Sequence, residues 1–320
     1  MIKNLLVTGG CGFIGSNFIN YFYRAVPGCR IINIDALYYC ANILNIDEKI
    51  RNDINRYIFI NVNLTDEKAD LKKLLIYYNV DYIIHFAAQS HVQNSFSNPL
   101  QYTRDNILGT HLLLDACQGN PNLKLFVHIS TDEVYGESMI GNSQVKKTEE
   151  SVLCPTNPYA ATKAGAELIA QSYYHSYKMP IIITRGNNVY GPNQYPEKLI
   201  PHFIECLKQG KKVPIQGKGD NVRAFIHVDD VCSALKIILE QGQAGEIYNI
   251  GSDDNSEKTV FEVAQKLINL LCHTNKFEDW IEYVEDRPYN DKRYYISNQK
   301  LKNLGWEIKI DFEEGLLKLI

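Results

Sequence analysis

Two acids stand side by side in HISTDEVYGE, residues 128–137, where Asp132 and Glu133 follow Thr131 at the end of an apolar run. Neighbouring carboxyls that share one site cannot both ionise cheaply, so they titrate as a coupled unit. Such a pair can present one proton and one charge at the same pH, which suits chemistry that needs an acid and a base together. A solvated turn could carry the same two residues at no cost, so the neighbours must decide. Further along, NPYAATKAGAELIAQSYYHSY places Tyr159 and Lys163 four residues apart after Pro158. On a helix that spacing puts both side chains on one face. A lysine ammonium beside a phenol stabilises the phenolate, so the spacing predicts a tyrosine whose pKa is lowered toward working pH. It could take a proton from an alcohol while hydride leaves the same carbon.

A third group concerns what accepts the hydride. VTGGCGFIG places Gly9, Gly12 and Gly15 directly after the first apolar run and at the start of a helical pattern. A pyrophosphate needs a tight turn, close backbone approach and a helix N-terminus aimed at its charge. Asp35 follows Gly15 by 20 residues and closes the second apolar run. A carboxylate there can accept the hydroxyls of an adenosine ribose and would repel a 2′-phosphate, which favours NAD over NADP.

The elements that must position these residues alternate. KNLLVTGG, CRIINID, RYIFINVN, VDYIIHFAA, LKLFVHIST and MPIIITRG read as six buried strands, rich in Ile, Val and Phe on both faces. Amphipathic segments such as SNFINYFYRAV, EKADLKKLLIYYN and NILGTHLLLDACQ lie between them. This rhythm predicts an α/β fold with a doubly wound parallel sheet. It loosens after Asn187 into loop-rich polar stretches, separated by helical patterns near 229–241 and 257–272. The expected division is 1–187 for the cofactor and 188–320 for the substrate, with a segment near 223–245 packing back on the first part.

The 320 residues carry a formal net charge of −4, which gives no electrostatic case for nucleic acid or an anionic membrane. No apolar run is long enough to span a bilayer. The first residues lack the small-residue cleavage pattern of a signal peptide. Eight scattered cysteines without C-x-x-C suggest reduced thiols in the cytoplasm, and the histidines show no metal-ligand spacing, so no metal is expected.

The order T-G-G-x-G-F-I-G, H-F-A-A, S-T-D-E-V-Y-G and Y-x-x-x-K resembles the extended short-chain dehydrogenase/reductases over essentially the whole chain. Most of these act on nucleotide sugars and join a Rossmann domain to a small C-terminal substrate domain. Within the family the acid pair after Thr131 resembles the nucleotide-sugar 4,6-dehydratases. The 4-epimerases and decarboxylases share all but that pair. A rival from another class, a non-catalytic NAD-sensing protein, would tend to lose the Tyr–Lys pair that stands here.

The resemblance implies oxidation at C4 of a hexose, with Tyr159 taking the hydroxyl proton beside Thr131 and Lys163. Glu133 then removes the C5 proton while Asp132 protonates the departing C6 hydroxyl. Hydride returns to C6, and NAD ends as it began. It implies a cofactor site of Gly9, Gly12, Phe13, Ile14, Gly15, Asp35, Leu37, Asn63, Leu64, Ala87, Ala88, Ser90, Tyr159, Lys163 and Val189. For the nucleotide sugar it implies Ser90, Thr131, Asn188, Glu197, Lys198, Leu199, Pro214, Gln216, Arg223, Asn249, Arg287, Asn290 and Tyr294. Arginine suits bidentate recognition of the diphosphate. DRPYNDKRY stands where bacterial dTDP-glucose dehydratases typically read D-R-P-G-H-D-R-R-Y, and Gln216 where they have tyrosine. These forms look more like the eukaryotic branch, which includes plant UDP-glucose 4,6-dehydratase domains of rhamnose synthesis and dTDP-glucose relatives. The base therefore stays open between UDP and dTDP. A homodimer built on a helix pair is the family habit.

Overall fold

The computed structural model describes residues 2–138, 146–286 and 289–320. Six strands fall on the six apolar runs: β1 (Asn4–Thr8), β2 (Arg30–Asp35), β3 (Tyr57–Asn61), β4 (Tyr82–His85), β5 (Leu125–Thr131) and β6 (Ile181–Gly186). Three short strands follow, β7 (Asn188–Tyr190), β8 (Val213–Gln216) and β9 (Val222–His227). Then come β10 (Ile247–Ile250), β11 (Glu257–Thr259) and β12 (Ile281–Val284). The main sheet has seven strands in the order β10-β6-β5-β4-β1-β2-β3, all parallel. The winding reverses between β1 and β4, and in such sheets the crevice at the carboxyl ends beside that point receives ligands.

Burial on both faces explains why these strands are apolar throughout. Leu5, Val7 and Ile31 enter one core with Phe18, Ile19 and Phe22 of the helix Phe13–Ala25. The alternate residues Leu6, Ile32 and Ile34 enter the core on the other face, with Leu113 and Tyr173. Each strand thus serves two layers with its two side-chain rows.

The later sequence divides between old and new packing. The helix Val228–Gln241 contributes Val231, Leu235 and Ile238 to the same core as the helix Phe13–Ala25, and β10 completes the main sheet. Trp306 is tied to the same helix, its indole N–H donating to the Asp230 carbonyl at 3.1 Å. A separate core gathers Ile200, Phe203, Val213, Ile215, Val263, Leu267 and Phe312. It is flanked by the small sheets β11-β9-β7 and β12-β8.

Two local features differ from the sequence pattern. The third helix starts at Leu71 rather than at Glu67, because the Asp70 side chain caps it by accepting the Lys73 N–H at 2.9 Å. Ahead of the helix Gly109–Cys117, residues Thr103–Leu108 form a π-helical turn. It holds Asn106 against the Gln89 backbone, with bonds of 2.7 and 3.0 Å. All eight cysteine thiols are free. Among the described residues no helix is long and apolar enough to cross a membrane, and no group of three side chains is arranged for a metal ion.

Candidate active site

Two adjoining cavities, of about 240 and 390 Å³, open along the carboxyl ends of the main sheet. The first follows the glycine loop. Gly9 has φ +70°, and a Cβ there would meet the Ala87 backbone nitrogen at 2.6 Å; a Cβ on Gly15 would meet the Gly9 carbonyl at 2.3 Å. The loop is therefore closed to side chains by its own backbone. No side chain caps the helix Phe13–Ala25, which leaves its first N–H groups available to an anion. Asp35 is buried, and its two oxygens accept the Cys11 and Leu37 N–H groups, each at 2.8 Å. A carboxylate has further lone pairs for ribose hydroxyls. Burial raises its pKa, and those two backbone bonds pull the other way. Backbone cradle, open helix end and acid together fit a dinucleotide such as NAD.

Gly9, Gly12, Phe13, Ile14, Gly15, Asp35, Asn63, Leu64, Ala87, Ala88, Ser90, Tyr159 and Lys163 all line this groove. Leu37 and Val189 do not, contrary to expectation. Leu37 has φ +53° and a side chain left in solvent, while Val189 packs on the main core. Tyr38, Cys40, Gln89, Ser130, Gln194 and Tyr195 also line it, although the sequence reading assigned none of them a role.

The second cavity brings together Ser90, Asn188, Glu197, Lys198, Leu199, Pro214, Gln216, Arg223, Asn290 and Tyr294, joined by Glu133 and Asn157. Ser90, Glu197 and Lys198 line both cavities. The Arg223 guanidinium lies over the Tyr294 ring at 5.1 Å and donates to Asn290 Oδ1 at 3.1 Å. Tyr294 in turn donates to Asp291, which also accepts the Thr156 hydroxyl at 2.9 Å. Asn249 is a correction. It lies fully buried in β10, accepting the Tyr135 hydroxyl at 2.8 Å, and reaches neither cavity. Arg287 lies outside the described residues.

The acids occupy a one-turn helix, Asp132–Tyr135, that leaves β5 between the cavities. Glu133 borders the second cavity; Asp132 is 3% exposed and lines neither. Thr131 is also enclosed, with its hydroxyl donating to Asp132 Oδ1 and accepting the Glu133 N–H, both at 3.3 Å. Burial, then the Glu133 charge, pushes Asp132 up from 3.8 to about 7. Glu133 is also raised by burial, but Asn157, Arg223 and Lys198 oppose the shift.

Tyr159 and Lys163 lie in the helix Pro158–Tyr177 and face the groove. Their electrostatics differ from the sequence expectation. Burial, then the charge of Glu133, pushes the phenol above its ordinary 10, and only a hydrogen bond with Thr131 pulls it down. Lys163 is itself lowered to about 8 by burial, with Glu167 opposing. At about 8 Lys163 still carries its charge near neutral pH, so burial and the neighbouring carboxylates, rather than a lost cation, hold the phenol up.

Sequence reasoning missed the side chains that hold the acids. Asn187 donates to Asp132 Oδ2 at 2.6 Å, and Asn157 donates to Glu133 Oε2 at 3.0 Å. Asn157 directly before Pro158 is a recognisable helix start, but nothing in the sequence reveals its reach to Glu133. Behind them Arg185, 2% exposed, grips Glu167 at 2.7 Å and donates to the Tyr135 hydroxyl at 2.8 Å. That network ties the acid turn to the helix of Tyr159 and Lys163.

Sheet order, glycine cradle and the Tyr–Lys helix define an extended short-chain dehydrogenase/reductase. Within that class the chain belongs to the GDP-mannose 4,6 dehydratase family, whose model matches residues 6–319. A trifunctional UDP-glucose 4,6-dehydratase/UDP-4-keto-6-deoxy-D-glucose 3,5-epimerase/UDP-4-keto-L-rhamnose-reductase of Arabidopsis thaliana is 44% identical over 316 residues, covering 99% of this chain and 46% of that protein. The chain thus spans about half the length of these plant relatives. The dTDP-D-glucose 4,6-dehydratase of Homo sapiens is 44% identical over 321 residues, covering 99% of this chain and 89% of that one. A solved dTDP-glucose 4,6-dehydratase of Streptomyces venezuelae with NAD and TYD bound superposes with a TM-score of 0.90 at 38% identity, covering 98% of this chain and 94% of that one.

Proposed function

We propose that the chain is a NAD-dependent nucleotide-sugar 4,6-dehydratase. It converts UDP-glucose or dTDP-glucose into the 4-keto-6-deoxy sugar nucleotide and water, an early step toward rhamnose or a related deoxysugar. The observation that carries this reading is the acid pair: Glu133 faces the second cavity under two cations, while Asp132 beside it is buried and inclined to keep a proton. Relatives named as UDP-glucose and dTDP-glucose dehydratases support the sugar and leave both bases open.

In this reading Asp35 and the glycine loop hold the cofactor, and Arg223 with Lys198 holds the diphosphate. NAD, when bound, would supply a positively charged ring and the acceptor for the C4 hydride, and in its reduced form the hydride that returns to C6 after water is lost, with Glu133 giving its proton back to C5. Tyr159, hydrogen-bonded by Thr131, accepts the C4 hydroxyl proton once it is a phenolate, the form that the Lys163 ammonium and a positively charged nicotinamide ring would favour against the burial. The resulting ketone acidifies the C5–H, and Glu133 takes that proton as Asp132 gives one to the C6 hydroxyl leaving as water. Residues 1–187 serve mainly the cofactor and 188–320 mainly the sugar nucleotide, apart from the helix Val228–Gln241 and β10. The working form is a cytoplasmic homodimer. Leu108 and Leu112, one turn apart, and Leu168 on the next helix are exposed and offer an apolar helix face for it.

The test is parallel incubation with UDP-glucose and dTDP-glucose, reading products by mass and NMR. Loss of one water to a 4-keto-6-deoxy sugar is expected, and the ratio of kcat/KM values identifies the base. Glu133→Gln should retain NAD and lose dehydration. A C4 epimer of unchanged mass would overturn the proposal.

A further inference from the structure

Asn157 touches two things at once. It is the cap of the helix that carries Tyr159 and Lys163, and its Oδ1 accepts the Ala160 N–H at 2.9 Å. Its Nδ2 lies 3.0 Å from Glu133 Oε2. The side chain is 6% exposed, so water cannot readily substitute for either contact. Amide oxygen and nitrogen are interchangeable in shape, but not here. The Ala160 N–H can only donate, so the oxygen must face it and the NH₂ must face the carboxyl. An amide N–H binds a carboxylate more strongly than a neutral acid.

We infer that Asn157 is a positioning residue: by capping the helix it is locked in the orientation that holds Glu133 in its ionised, proton-accepting form. The inference rests on the reading of Glu133 as the base of the elimination. It deepens that reading by coupling the start of the Tyr159–Lys163 helix to the state of the base.

Other groups face Glu133 from several elements. Lys198, just before the helix Leu199–Lys208, and Arg223 on β9 favour its charge. Asp291 opposes it, and Asp132 from the same turn feels it as a like charge. The phenols of Tyr159 and Tyr294 feel that charge too, and both are raised by it. The two cations lie on the substrate side, where a diphosphate would engage them. Asn157 is neutral and keyed by the backbone, so its support does not depend on what fills the cavity.

Capping and positioning can be separated. Asn157→Asp keeps a good cap, since aspartate accepts the same backbone N–H, but turns its second oxygen on Glu133. Asn157→Ser keeps a cap and loses the reach. In Asn157→Asp the acid limb of the pH–kcat profile should move up by about one unit or more, because like carboxylates so close cannot both ionise. On that limb, at pH values well below its midpoint, activity then falls about tenfold, and it recovers at higher pH. Asn157→Ser should shift the limb less, in the same direction.

A second readout needs no turnover. With the glutamate carboxyls labelled with ¹³C and the Glu133 signal assigned by its loss in Glu133→Gln, its NMR titration in the parent and both variants should show the same order of shifts. Limbs and titrations that superimpose on the parent, with only a uniform loss of rate, would mean that Asn157 is a cap alone and would overturn the inference. If the parent dehydrates neither sugar nucleotide, the functional reading falls, and the titration still decides the role of Asn157.

Discussion

The groove along the glycine loop and the second cavity share a wall of Ser90, Glu197 and Lys198, yet they are built in different ways. The groove runs along the ends of β1, β2 and β4, where β1 pairs directly with each of the other two, and one wall of it is the bare backbone of the glycine loop. Its shape follows from local geometry, above all from loops that admit no Cβ. The cavity is made of side chains from segments around 90, 133, 157, 188–203, 214–225 and 284–294, gathered only by the tertiary fold. A backbone site should fail all at once when its geometry is broken. A side-chain site should lose its grip group by group.

The largest effect tests the first half of that contrast. A methyl on Gly15 has nowhere to go, since the Gly9 carbonyl and the Gly10 Cα lie 2.3 and 2.8 Å from it. Gly15→Ala should weaken NAD by about a hundredfold or more, near 3 kcal/mol, as read by equilibrium binding. Binding of UDP or dTDP to the second cavity should stay near that of the parent. If both ligands are lost together, the two regions are not separable in the way their construction suggests.

Arg223 tests the other half with a smaller loss. It is held over Tyr294 and against Asn290, so its guanidinium is placed before any ligand arrives. Removing a charged hydrogen-bond donor typically forfeits about 1.5–3 kcal/mol. Arg223→Ala should therefore raise the KM for the sugar nucleotide about tenfold to a hundredfold, with NAD affinity unchanged. An unchanged KM would place the diphosphate elsewhere in the cavity.

The same contrast explains what could be read from the sequence. Alternation of apolar runs marked all six leading strands, because strands buried on both faces need such residues. Glycine spacing and Asp35 marked the groove, because its chemistry lies in neighbouring residues on one loop. For the cavity, ten of the residues that the motif resemblance implied come together along one wall in the structure, but their contacts were not legible. Asn249 stands apart from that wall, since a polar residue in YNIG reads alike whether it borders a cavity or, as here, meets the Tyr135 hydroxyl in the interior. Leu37 and Val189 lie outside the groove lining for a related reason: proximity along the chain does not say which way a side chain turns. Asn157 and Asn187 were invisible because their partners are 24 and 55 positions away. The lowered tyrosine pKa was inferred from one cation; the burial and two carboxylates that outweigh it enter only in three dimensions.

The smallest effect separates the two regions by their acids. Asp35 in the groove and Asp132 beside the cavity are both raised by burial, and each has two hydrogen bonds opposing the shift, but Asp132 also faces the Glu133 charge. Asp132 moves from 3.8 to about 7. A carboxyl raised in the folded state binds its proton more tightly there than in the unfolded chain. Its contribution to stability is therefore complete below about pH 4 and is lost as the pH rises through about 7. Replacing Asp132→Asn keeps the volume, removes the titration and leaves an oxygen that can still accept from Asn187. In thermal unfolding the variant should be about as stable as the parent near pH 4 and more stable at pH 8, by about 1 kcal/mol or more, while losing activity. Asp35→Asn should show the weaker version of this pH dependence. A gap between Asp132→Asn and parent that does not change with pH would mean that Asn187 and Thr131 hold the Asp132 charge as well as water does, and the contrast between the two acids would disappear.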